Sequence, residues 1–451
     1  MIETIVKRDG RLVPFDPRKI TFAIVRAAVA VGGRDQELAA RVAESVVAEL
    51  ERRREQAVAE NLCPPPPSVE EVQDTVEKML IEGGHAKTAK AYILYRYEHS
   101  LKRSKKESLT YSSENVPYRK LWEALSWALD KRCYSLSQLA QAVQENRLPE
   151  LAATCENFYA REIQALIENL PENLDSLRLL IIAGPSSSGK TTTTIKIAQA
   201  LKERGKRLVP INADNYFFDR DTHPKDPFGD YDFEMPQALD LALLNDHLRK
   251  LIAGNTVDIP RYNFKTGHRD GFCETLRLAP GDIILVDSLH GLYEPLSESV
   301  PAEAKYKIYI ETLAQMKDSA GAFIRWTDVR MMRRMVRDMQ FRGASPRQTL
   351  LHWYLVRRSE LRYIVPRLRF ASAIVNSFMP YELLFLKARL APYFPGFIEE
   401  LSSSPDRGDA LARAERIQNL FSQIPDWNDE SIVPPESLLR EFIGGSSYQY
   451  Q

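Results

Sequence analysis

LRLLIIAGPSSSGKTTTTIKIAQALKE, residues 177–203, decides the fold. A short apolar run closes at Ala183, a loop of small residues follows, and a helix-forming segment begins after it. The loop from Gly184 to Thr191 reads GPSSSGKT and fits GxxxxGK(S/T). Its place between a strand and a helix is the context that a phosphate-binding loop requires. Glycines let the backbone curl so that its N–H groups point at phosphate oxygens, and the helix N-terminus adds a positive dipole end. The expected nucleotide contacts are Gly184, Ser186, Ser187, Ser188, Gly189, Lys190, Thr191 and Thr192. Lys190 is expected to reach the β- and γ-phosphates of ATP, and Thr191 to ligate Mg²⁺.

Outward from this loop, KRLVPINAD (206–214) and DIILVDS (282–288) are further short apolar runs, separated by helical segments. This is the pattern of a parallel sheet covered on both faces, the α/β class, and it lasts to about Phe394. Asp214 and Asp287 close two of these runs. Ligands of such sheets sit outside the carboxyl ends of the strands, so both carboxylates are expected to face the phosphates. One can hold Mg²⁺ while the other takes a proton from an attacking hydroxyl. Each aspartate alone also suits an ordinary turn or helix cap.

Between Arg325 and Arg369 the chain carries twelve arginines, no lysine and three acids, Asp328, Asp338 and Glu360. Arg330, Arg333, Arg334 and Arg337 fall at three- and four-residue spacings, which puts several on one helix face. Guanidinium forks match phosphate oxygens, so one reading is a lid over a transferring phosphate. A nucleic-acid-binding face and a solvated, salt-bridged helix are the alternatives.

Residues 1–101 form a separate pattern. IETIVKRDGRLVPF suggests two short strands around a turn at Asp9-Gly10. Asp16-Pro17 opens a helix, and a second helical stretch runs to Pro64. Ser68 heads another helix with Glu71 as a capping box, ended by Gly83-Gly84, and a last helix runs from about Lys87 to Leu101. Residues 102–115 are polar and read as a linker. Residues 116–174 read as a helical spacer. The α/β domain is bounded at 175–395, and 396–451 form a C-terminal helix and tail packed on it.

Lys+Arg and Asp+Glu both number 61, so the chain is neutral, which argues against a globally basic nucleic-acid coat. No apolar run approaches the ~20 residues that span a bilayer, and MIETIVKRDG lacks the apolar stretch of a secretory signal. Cys63, Cys133, Cys155 and Cys273 are widely spaced, so neither a disulfide framework nor a zinc knuckle is expected. A cytoplasmic location without membrane association follows as the expectation.

GPSSSGKT, NADNYF (212–217), DFEMPQALD (232–240), PRYNFKTGHR (260–269), VDSLHG (286–291) and RRMVRDMQFRG (333–343), in that order, resemble the phosphoribulokinase/uridine kinase family from about Leu177 to Tyr393. The tail IVPPESLLREFIGGS (432–446) resembles longer bacterial uridine-kinase-like proteins. The resemblance implies transfer of the γ-phosphate of ATP to a sugar hydroxyl, the 5′-OH of a nucleoside in uridine kinases. By position it makes Asp214 the base and sets Tyr216 beside the sugar. Glu234 takes the place of an Asp that holds ribose hydroxyls. Tyr262 and Phe264 match the nucleobase strand, with core packing their alternative role. Arg334, Arg337 and Arg342 match lid and phosphate arginines, and Asp287 takes the metal-side acid. His268 stands one residue further from Phe264 than the base-reading histidine of uridine kinases, and Ala344 replaces a common lid arginine.

VKRDGRLVPFDPRKI (6–20) and AKAYILYRYEH (89–99) resemble the ATP-cone, a nucleotide-sensing module. There Lys7, Arg8 and Lys19 would grip the phosphates of ATP or dATP as an effector, with Gln73 and Lys90 as further candidates. The combined expectation is a P-loop NTPase-type sheet with helices on both faces, preceded by a small, mostly helical cone with a β-hairpin. Its function would be a homo-oligomeric nucleoside kinase, uridine or cytidine first, with nucleotide regulation through the cone. A kinase of another sugar or polyol is the first alternative. A nucleotide-dependent regulator that binds nucleic acid is the second, disfavoured because a switch needs no acceptor-hydroxyl base.

Overall fold

Strand β3 (Leu179–Ala183) is buried along its whole length, and its side chains alternate between two cores. Leu180 and Ile182 enter one; Leu179 and Ile181 enter the other. A strand that is apolar on both faces must be covered on both, and burying each such side chain stabilises the fold by roughly 1.5–3 kcal/mol. The computed structural model describes residues 2–6, 12–30, 36–60, 64, 66–93, 115–171, 173–223, 231, 234–263, 266–403 and 407–449. They fall in two compact units, Met1–Leu109 and Thr110–Gln451.

In the first unit, β1 (Thr4–Val6) pairs antiparallel with β2 (Leu12–Pro14). The turn at Asp9-Gly10 lies outside the described residues. Helices α1 (Arg18–Ala30), α2 (Gln36–Ala59), α3 (Val69–Glu82) and α4 (86–93) follow. The capping box is present: Glu71 N–H donates to Ser68 Oγ at 3.1 Å and Ser68 N–H to Glu71 Oε2 at 2.7 Å. Ile20, Ile24, Val46, Val76 and Leu80 make the core.

The second unit begins with α5 (Tyr118–Asp130), α6 (Leu136–Gln144) and α7 (Leu148–Glu168). Residues expected as a spacer thus share one apolar core with the sheet: Leu139, Cys155 and Ile163 join Leu180 and Ile182. Next come β3, α8 (Lys190–Glu203), β4 (Leu208–Asn212), α9 (Leu241–Ile252), the antiparallel hairpin β5 (Val257–Asn263) and β6 (His268–Leu276), β7 (Ile283–Ser288) and β8 (Lys305–Glu311). Helices α10 (Trp326–Phe341) and α11 (Pro346–Ser359), strand β9 (Ala373–Asn376), then α12 (Glu382–Leu390), α13 (Phe394–Ser402), α14 (Gly408–Gln423) and the short α15 (Arg440–Ile443) complete it.

The sheet is parallel with strand order β4-β7-β3-β8-β9. Helices α8, α10 and α12 lie on one face; α9 and β5 lie on the other. Because chain order and strand order differ around β3, the loops after β3, β4 and β7 open into one crevice. Among the described residues, no helix is long and apolar enough to cross a membrane.

Candidate active site

The loop after β3 is built around two close approaches. A Cβ on Gly184 would stand 2.5 Å from the Ile310 carbonyl oxygen, and one on Gly189 2.5 Å from Leu438 Cδ1. Gly189, at φ +90°, also turns the chain into α8. Ser187 sits at φ +60°, a left-handed conformation that costs a non-glycine residue energy and often marks a ligand clamp. The hydroxyls of Ser187 and Ser188 are buried without a hydrogen-bond partner among the described residues. The Lys190 ammonium donates to the loop's own carbonyls, Gly184 O at 3.0 Å and Pro185 O at 3.4 Å. Thr191 opens α8 with its side chain partly accessible.

The strand ends bring Asp214 and Asp287 to this loop. Asp287 pairs in register with Ile182 of β3 and Asn212 of β4, and Asp214 follows on a short 3-10 turn. Its backbone N–H donates to Asn212 Oδ1 at 2.9 Å, which fixes that turn. Burial pushes Asp287 up to about 6; Lys190 opposes the shift, while Asp214 and Glu441 add to it. Asp214 stays open to solvent at the mouth of the crevice. The protein around it still penalises its charge and raises its pKa, with Lys190 and then Arg342 pulling it back. Two carboxylates and an ammonium thus share one electrostatic neighbourhood.

The arginine cluster divides into two groups. Arg330 and Arg333 are 1% and 0% exposed, so they are neither a solvated face nor a nucleic-acid surface. Arg330 pairs with Glu360 at 2.5 Å and Glu311 at 2.8 Å. Arg333 forks onto Glu382 at 2.6 and 2.8 Å and donates to Ser377 O at 2.7 Å. Ser377 Oγ in turn donates to Ser188 O at 2.5 Å, so this pair props the phosphate loop from behind. Arg334, Arg337 and Arg342 instead surround Asp338, at 3.2, 3.5 and 3.4 Å. Arg334 Nη1 also donates to Ser186 Oγ at 3.3 Å. Burial, and then the charge of Arg342, pull the Arg337 pKa down to about 10.

On the acceptor side, Glu234 receives Arg334 Nη1 at 3.4 Å. Its backbone carbonyl accepts from the Ser359 hydroxyl and meets His290 Nε2 at 3.0 Å. His290 is buried, and that burial drives its pKa down to about 3, so it is neutral here. Tyr216 differs from the expected sugar contact. It is 0% exposed, and its hydroxyl is hydrogen-bonded to His247 Nδ1 at 3.0 Å within the core under α9. Its ring is apolar enough to be drawn into that core, where it supports the Asp214 turn. Tyr262 packs against Phe217 with centroids 5.5 Å apart. His268 lies on the β5–β6 hairpin, 3.5 Å from Asp219, and is half-exposed. Phe264 falls outside the described residues, as do Lys7 and Arg8; Lys19 is exposed on α1.

Two contacts were not expected. Glu441, from the tail, accepts from the Thr192 N–H and hydroxyl, and Tyr159 of α7 shares a 2.6 Å hydrogen bond with Thr193. The tail motif was visible in sequence; its partner was not.

Residues 179–383 match the phosphoribulokinase/uridine kinase family, and residues 3–101 match the ATP cone domain. The uridine kinase of Deinococcus deserti is 30% identical over 196 residues, which cover 43% of this chain and 84% of that protein. The uridine kinase of Chloroflexus aurantiacus is 33% identical over 197 residues, 43% of this chain and 83% of its own. The chain belongs to the phosphoribulokinase/uridine kinase family. A solved structure described as a possible uridine kinase from Bacillus stearothermophilus is 22% identical, with 33% of this chain and 79% of that one covered and a TM-score of 0.27.

As a member of that family the chain is an ATP-using phosphotransferase with a hydroxyl acceptor, and an ATP-cone domain precedes its catalytic half. The division of the arginines then makes a stability prediction. Arg333→Ala leaves Glu382 charged and buried without its partner, so it should cost about 3 kcal/mol. Arg334→Ala leaves Asp338 paired with Arg337 and Arg342 and leaves Glu234 partly open to water, so it should cost less than about 1 kcal/mol. Denaturant unfolding of the two variants measures the difference, and equal midpoints would contradict the division.

Proposed function

We propose that this kinase transfers the γ-phosphate of ATP to a hydroxyl of a nucleoside, with a pyrimidine nucleoside as first choice. The observation that carries this reading is the single arginine shared across the crevice. Arg334 touches Ser186 of the phosphate loop and Glu234 of the acceptor side at once. A carboxylate so held can accept hydrogen bonds from vicinal hydroxyls, which a ribose offers. Tyr262 and Phe264 would lend the base an aromatic face.

The residues suit Mg²⁺. A hard cation of this size takes oxygen ligands and keeps several from water and phosphate. Thr191 with Asp287 or Asp214 would hold it, and Asp287, whose pKa Asp214 helps to raise, would gain from a cation. Among the described residues no three His, Cys, Asp or Glu side chains gather for a metal, so the remaining ligands would come from the nucleotide and water. When bound, the ion would offset charge on the β- and γ-phosphates. Asp214 would take or orient the acceptor proton, Lys190 would hold the transferring phosphate, and Arg334, Arg337 and Arg342 would close over it.

ATP turnover against a panel of nucleosides, sugars and polyols tests the proposal. A ribonucleoside should raise ADP release above the background hydrolysis rate. Phosphorylation of a free sugar or polyol, with every nucleoside inert, would overturn it.

The cone would report nucleotide level to the kinase, since the phosphate loop already has its own ATP. Sensing requires that the effector bind one conformation or assembly better than another. A coupling of about 1–3 kcal/mol is the usual scale. Titration of ATP and dATP should resolve two sites in the wild type. Lys7→Ala/Arg8→Ala should remove one and Lys190→Ala the other; a single site lost only with Lys190 would exclude a nucleotide-binding cone.

A further inference from the structure

The tail stretch IVPPESLLREFIGGS has no part in the reading above. It lies along the first turn of α8. Leu438 is fully buried against Gly189, and Phe442, also fully buried, lies under Arg333 with the guanidinium 5.0 Å from its ring. Leu439 and Ile443 are buried as well, so the tail backbone is anchored. Between these anchors Glu441, 5% exposed, turns its carboxylate onto Thr192. Oε2 accepts from the Thr192 backbone N–H at 3.0 Å and from its hydroxyl at 2.8 Å.

Thr192 is the third residue of α8, so its N–H lies in the first turn, where a helix presents its N-terminal donors. It is one of the donors that make a helix N-terminus an anion site, and Glu441 already meets it with a charge-assisted bond. A carboxylate and a phosphate oxygen cannot share these donors, because two like charges at contact repel strongly away from bulk water. We propose that Glu441 is a resident anion which nucleotide phosphate displaces, so that the C-terminal tail sets the threshold for nucleotide binding. The displaced carboxylate has a destination. Arg337 lies within electrostatic reach of Glu441, and its buried Nε, 3.5 Å from Asp338 Oδ1, makes an ion pair there but no hydrogen bond among the described residues. A turn of the Glu441 side chain toward Arg337 would exchange one pairing for the other. Arg337 shares α10 with Arg334, so phosphate arriving at Thr192 would deliver a charge to the helix that carries the lid arginines. Only the difference in Glu441 pairing between the two arrangements can shift that equilibrium.

The inference rests on the phosphate-loop reading, and calorimetric binding of ATP and ADP without acceptor tests it. Glu441→Ala should lower the Kd of both nucleotides about tenfold or more, the scale of a hydrogen bond to a charged group. Glu441→Gln, which keeps the shape and loses the charge, should give part of that gain. Unchanged or weaker binding in a folded Ala variant, or wild-type Kd values in the Gln variant, would overturn the proposal and make Glu441 a fixed cap on α8. If Glu441→Ala lacks the wild-type circular dichroism, the Gln variant decides. Lys190→Ala should weaken both nucleotides in every background; if it does not, the phosphate-loop reading has failed instead.

Discussion

Lys190→Ala should lower turnover by about 10³-fold or more, the upper scale for loss of one preorganised charge-stabilising donor. Stability should fall by no more than about 1 kcal/mol, because the ammonium's present partners are two loop carbonyls at a partly accessible site. Those carbonyls hold the side chain over the loop, and Asp214 and Asp287 feel its charge. Removing it takes away the cation that acts on both carboxylates. Two like-charged acids would then repel the substrate as well as each other, so the loss should appear in kcat and in ATP affinity together. Coupled measurement of ADP release, beside thermal unfolding, reads both quantities. Turnover near wild type with an unaltered fold would remove the phosphate loop from the mechanism.

The phosphate loop was legible because its chemistry is local. Eight consecutive residues supply the turn, the donors and the cation, and the flanking periodicities announce a strand and a helix. The strand-end positions of Asp214 and Asp287 were legible for a similar reason: a parallel sheet puts the carboxyl ends of its strands on one side. The capping box at Ser68 and Glu71 likewise needs only four residues. Legibility failed where partners are distant. Spacing put Arg330, Arg333, Arg334 and Arg337 on one helix, but Glu360, Glu382 and Ser377 lie 30 to 49 residues further on, and they decide which arginines are buried. Nothing local separates Arg333, locked onto Glu382, from Arg334, aimed at Ser186. Tyr216 misled for a related reason: its neighbour Asp214 faces the crevice, but the turn sends the next aromatic inward to His247. The bond from Glu441 to Thr192 joins residues 249 apart, and no periodicity reports such a contact. Residues 116–174 read as a spacer because their helices carry no motif; their apolar faces complete the core beneath β3.

Asp214→Asn should retain ATP binding and lose about 10²–10⁴-fold in kcat, the range for a positioned acid–base group. Asparagine has nearly the same shape, and the turn is fixed by the backbone N–H of residue 214 donating to Asn212, which the substitution leaves intact. The charge is therefore what the variant removes. The crevice raises the Asp214 pKa through the desolvation of its carboxylate, against the pull of Lys190 and Arg342. A raised pKa makes the carboxylate a better proton acceptor than a free aspartate. The sign of the pH dependence follows. In the wild type, activity should fall as pH drops through the folded-state pKa, at a higher pH than an unperturbed aspartate would give. In Asp214→Asn that acid limb should vanish from what activity remains. Asp287→Asn provides the contrast, because its loss should raise the Mg²⁺ requirement before it lowers the rate at saturating Mg²⁺. If Asp214→Asn instead kept the wild-type rate and only weakened Mg²⁺ binding, the two carboxylates would have exchanged roles. The proton acceptor would then have to be sought at Asp287, whose pKa near 6 also lies within reach of neutral pH.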